Sequence, residues 1–80
     1  MALVKSLKAL HKDRCSPHGP VECTFTVFTD DAGTKYLQLD TYGSATRQIP
    51  DKVSQSLQFS GESLRQLRDL IEREFPRASR

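Results

Sequence analysis

The chain has 80 residues, 36% of them hydrophobic and 28% charged, with a formal net charge of +2. That size admits one domain with a modest core, helped by a second subunit or a metal in many domains of this length. The composition is that of a folded chain, and the near balance of charge leaves no strong nucleic-acid footprint in the total. No apolar run approaches the roughly 20 residues of a membrane helix. Lys5 and Lys8 interrupt the apolar start MALVKSLKAL, so it reads as part of the fold and not as a signal peptide. Two cysteines without a secretory signal point to reduced thiols and a cytoplasmic location. The basic residues gather at the two ends of the chain, and the acids Glu22, Asp30, Asp31 and Asp40 sit in the middle.

In chain order, Leu3, Leu7 and Leu10 recur at helical spacing, with Lys5, Lys8 and Lys12 largely opposite, which predicts a short amphipathic N-terminal helix within residues 2–12. Pro17, Gly19 and Pro20 end it. VECTFTVF, residues 21–28, alternates as a strand, with Val21, Cys23, Phe25 and Val27 on the buried side. TDDAGT is a hairpin loop in which Gly33 takes the left-handed conformation. KYLQLDTY is the returning strand, with Leu37 and Leu39 inward. GSATRQIP is a loop with a short strand at Arg47–Ile49. KVSQSLQF is the last strand, with Val53, Leu57 and Phe59 inward. A helix follows: Ser60 caps it, Glu62 suits its dipole, Leu64, Leu67, Leu70, Ile71 and Phe75 form its stripe, and Pro76 stops it.

The expected fold is thus α+β: an antiparallel β-meander of three to four strands packed on one C-terminal helix, plus the short N-terminal helix. The single domain, 1–80, divides into an N-terminal segment and linker (1–20), sheet (21–59), helix (60–75) and tail (76–80).

His11, Cys15, His18 and Cys23 offer the side chains of a tetrahedral zinc site, yet they lack the paired Cys-x2-Cys knuckle, and strand phase sends Cys23 into the core. The remaining His11, Cys15 and His18 sit on a Pro/Gly hinge, so neither a metal nor another cofactor is assigned. No Gly-x-Ser-x-Gly elbow or phosphate-binding glycine loop is present, and a chain this small leaves little room for a catalytic pocket, so no enzyme is expected. Asp40 has no carboxylate partner in view and is expected to be solvated or paired with Arg47.

One helix covers one face of a sheet. The other face would carry Thr24, Thr26, Phe28, Tyr36, Gln38, Tyr42, Ser54, Ser56 and Gln58, bordered by Lys35, Arg47 and Lys52. Aromatic rings flanked by basic groups form a platform for single-stranded DNA or RNA. The same face, read as ordinary strand formers, suits a protein partner instead.

The stretches KYLQLDTY, RQIPDKVSQSLQF and SGESLRQLRDLI resemble the single-stranded-DNA-binding domain of the positive cofactor four family of transcriptional coactivators. The resemblance runs from about residue 24 to residue 71, with an acidic first hairpin and Asp51 beside Lys52 as its departures. It implies a homodimer that grips single strands through Phe28, Lys35, Tyr42, Arg47 and Lys52.

Overall fold

The computed structural model describes residues 1–43 and 52–78. Four strands, β1 (Ala2–Val4), β2 (Cys23–Thr29), β3 (Lys35–Tyr42) and β4 (Val53–Phe59), form one sheet in the order β1-β4-β3-β2, and helix α1 (Gly61–Glu74) follows β4. The α+β arrangement of a sheet with a C-terminal helix is as the residue pattern predicts.

The β2–β3 hairpin is fixed by its turn. The last ladder pair is Thr29 with Lys35. Across the loop, the Asp30 carboxylate oxygen Oδ1 accepts hydrogen bonds from the backbone N–H groups of Ala32 and Thr34, both at 2.9 Å. Gly33 adopts φ +84°, the left-handed region in which a side chain would be strained. The register then aligns two apolar rows across three strands. Phe25, Leu39 and Leu57 make one row; Val27, Leu37 and Phe59 make the other.

Helix α1 starts where Ser63 Oγ accepts from the Ser60 backbone N–H at 3.1 Å and donates to the Ser60 carbonyl at 3.2 Å. This holds the first turn, and Ser63 is fully buried there. Glu62 stands in that turn, as the dipole favours. The helix ends one residue before Phe75, whose N–H still reaches the Ile71 carbonyl at 2.7 Å, and Pro76 follows.

Four expectations are corrected. First, the N-terminal helix does not form. Residues 2–4 instead pair in parallel with β4, Ala2 against Leu57 and Val4 against Phe59, and residues 5–22 are neither helix nor strand. Pairing on the exposed edge of β4 satisfies backbone groups that an isolated helix of that length could not stabilise for itself. The sheet is therefore mixed and not purely antiparallel. Second, Cys23 is exposed, as is Phe25, at 73%. Both lie on β2, the far edge from β4, and β4 is the strand the helix meets most. Third, Val53 does not share a face with Leu57 and Phe59. Thr41 pairs with Gln55 but Tyr42 pairs with Val53, so a bulge at Ser54 reverses the phase. Fourth, Val21 lies before β2 and not within it. The strand expected at 47–49 lies outside the described residues.

The apolar face is consequently open. Phe59, at 6% exposed, is the buried hydrophobic side chain among the described residues, while Val27 and Leu57 remain half exposed. The accessible surface is 7258 Å², against about 4,900 Å² for a compact monomer of this mass. Phe59→Ala is expected to cost about 3–5 kcal/mol, read as a fall in the urea midpoint; a cost below about 1 kcal/mol would remove Phe59 from the core.

Candidate nucleic-acid interface

Because side chains alternate along a strand, the face opposite the apolar rows takes the even-numbered residues of β2 and β3. Thr24, Asp40 and Ser56 form one row, and Thr26, Gln38 and Gln58 the next. Phe28 lies directly opposite Tyr36. Their rings stack with centroids 5.3 Å apart and planes at 25°. This is an offset pairing that favours a fixed geometry.

Tyr36 is tethered, because its hydroxyl donates to Asp30 Oδ2 at 3.1 Å. The backbone N–H of Thr34 is the main cause holding the Asp30 carboxyl below its ordinary 3.8, with the Tyr36 hydroxyl and the Ala32 and Gly33 amides adding to it. In turn the hydrogen bond to Asp30 pushes the Tyr36 phenol above 10.0, since the ionised phenol would face a carboxylate. Tyr42 sits at the other end of β3, about 20 Å away at strand spacing, where its hydroxyl and Thr24 Oγ1 share a hydrogen bond of 3.0 Å.

Between the aromatic ends runs a polar network. Gln58 Nε2 donates to Gln38 Oε1 at 2.8 Å. Gln38 Nε2 donates to both Asp40 oxygens, at 3.0 and 3.1 Å, and the Ser56 hydroxyl donates to Asp40 Oδ1. Ser56 is 8% exposed. Asp40 is therefore held by neighbours on its own sheet, and not left to solvent as its lone position in the strand suggested. The pairing with Arg47 cannot be placed, since Arg47 lies outside the described residues. The spacing could have revealed the network: Gln38 stands two residues before Asp40, and Ser56 and Gln58 repeat that interval on the neighbouring strand. A shallow depression of about 420 Å³ opens over these groups, with Met1, Leu3 and Val53 as the apolar part of its lining.

Of the expected interface residues, Phe28, Tyr36 and Tyr42 share the polar face. Lys52 is exposed and immediately precedes Val53, the ladder partner of Tyr42, so it stands at the Tyr42 end. Lys35 is exposed at the first position of β3, where alternation sets it on the opposite side from Tyr36. Ser54 leaves the expected row because it forms the bulge.

In the N-terminal segment, His11 Nε2 lies 3.1 Å from Asp13 Oδ1, and Cys15 is a free, exposed thiol. No group of three or more His, Cys, Asp or Glu side chains placed to hold a metal occurs among the described residues. No helix among them is long and apolar enough to cross a membrane. No protein-family model, no curated protein and no solved structure matches the chain. The likeness to the positive cofactor four family therefore rests on the residue pattern.

Protonation of Asp30 removes acceptors from the loop. The stabilisation it lends the hairpin is thus present above the ordinary carboxyl value and lost as pH falls through the lowered one. The Thr34 amide shift should titrate with a midpoint below 3.8, and Asp30→Asn should bring the tyrosinate absorbance of Tyr36 back toward 10.0. A Tyr36 titration untouched by the substitution would dissolve the tether.

Proposed function

We propose that the chain is a small non-enzymatic binding module, a homodimer that holds single-stranded DNA or RNA on the polar face of its sheet, in a cytoplasmic role like that of a transcriptional coactivator. The observation that carries this reading is the placement of Phe28, Tyr36 and Tyr42 on one face, at both ends of a row of amides and hydroxyls. Rings supply surfaces on which any base stacks, and amides and hydroxyls supply adaptable hydrogen bonds. Lys52 offers a phosphate contact at the Tyr42 end.

Dimerisation is supported by the other face. Two aligned rows of apolar side chains, with Phe25, Val27 and Leu57 exposed, need a cover that one terminal helix does not provide. The helix stripe is also open: Leu64, Leu67 and Ile71 line a shallow surface depression. A second copy placing its own apolar surfaces against these would bury both sets by two-fold symmetry. A second reading, a protein-interaction module without nucleic acid, draws on the carboxylates of Asp30 and Asp40, which face the same side as the aromatic residues and repel phosphate.

Titration with short single strands should give an affinity that falls as salt rises, since phosphate contacts release counterions. Tyr42→Ala should weaken binding roughly fivefold or more, by the worth of a stacked base, and Lys52→Ala should lower the salt slope by about one. No binding at low salt would leave the protein-interaction reading. In sedimentation, the wild-type chain should run as a dimer and Phe25→Glu as a monomer; a wild-type monomer would remove the dimer.

A further inference from the structure

We infer that the depression over Asp40 is a base-selective subsite that takes the exocyclic amino group of an unpaired base and disfavours thymine and uracil. This rests on the nucleic-acid reading above and names what that face would distinguish. Among the described residues, Asp40 Oδ1 accepts from both Ser56 and Gln38, whereas Oδ2 accepts a single hydrogen bond, from Gln38 at 3.1 Å. A carboxylate oxygen has capacity for two. The acceptor position that no described residue fills belongs to a group anchored on two strands, β3 and β4, so its direction is fixed before any ligand arrives.

The surroundings select the donor. Gln58 uses one amide hydrogen on Gln38 and retains a second hydrogen and its carbonyl for the rest of a base edge. Met1, Leu3 and Val53 give the ring an apolar surface. Cytosine and adenine present an amino group beside a ring nitrogen acceptor, and guanine presents an amino group beside a ring N–H. Thymine and uracil present two carbonyl oxygens flanking one N–H, and those oxygens repel Asp40. A lysine ammonium would satisfy the carboxylate but has no acceptor for Gln58 and no planar face for the apolar lining.

The test compares an all-thymidine strand with the same strand carrying one central cytidine, on the full chain, followed by amide shifts. The cytidine strand should bind about tenfold tighter or more, by the worth of one hydrogen bond to a charged group, and shift the amides of Gln38, Asp40, Ser56 and Gln58. In Asp40→Asn a single side-chain oxygen remains, and Ser56 and Gln38 occupy it. The two strands should then bind within about twofold of each other, with the all-thymidine strand bound no more weakly than by the wild-type chain. Gln58→Ala, which leaves Asp40 in place, should narrow the preference and serves if Asp40→Asn fails to fold. Equal binding of both strands by the wild-type chain overturns the subsite while the nucleic-acid reading stands. Binding of neither strand overturns both. Shifts of these amides by a lysine-rich peptide but not by the cytidine strand would make the occupant a peptide and overturn the proposal.

Discussion

Two rows of apolar side chains run across β2, β3 and β4, and they have to be kept from water. The cover available within the described residues is one helix of 14 residues attached to the end of β4. It meets β4 most, so burial falls away from Phe59 toward Phe25 on the far edge strand. Most other features follow from this shortfall. The apolar face is left largely open, which is the ground for the proposed dimer, and the helix stripe, itself open, adds to it. The polar face is left as the side free to meet a ligand.

That polar face is organised rather than merely hydrophilic. A carboxylate in the middle of a sheet is costly to desolvate unless donors converge on it. Gln38 and Ser56 converge on Asp40, and Gln58 holds Gln38 in turn. The network ties β3 to β4 through side chains as well as through the ladder. It also determines the character of the centre of the face: acceptor-rich, hence suited to donor groups and not to phosphates. A single strand bound as proposed would place its phosphates at the margin near Lys52 and its bases toward the middle.

Much of the fold was legible in the residues because local rules and tertiary structure agree there. Alternation in β2 and β3, the Asp30–Gly33 turn, the Ser60 start and the Pro76 stop of the helix all rest on interactions between near neighbours. The failures are non-local. Leu3, Leu7 and Leu10 have helical spacing, but residues 2–4 find an unpaired strand edge more than 50 residues later in the chain. The bulge at Ser54 is invisible to alternation and moves Val53 to the other face. Cys23 has the right phase to be core, yet phase identifies a face and not what covers it. On the candidate interface, three aromatic positions were placed correctly by phase, whereas the neighbours of Asp40 needed the register between two strands.

The two faces are linked by geometry. If copies pair through their apolar faces, the polar faces point away from the junction, and one dimer offers two platforms. A strand long enough to reach both would be held at two places, and the second contact would form at the effective concentration set by the span between them. Each platform could then be individually weak, which fits a face carrying carboxylates and few cations. Selectivity would also compound, because two amino-reading centres on one strand multiply their preferences. A module whose single face binds modestly can in this way gain both affinity and discrimination from the same apolar surface that its short chain leaves uncovered.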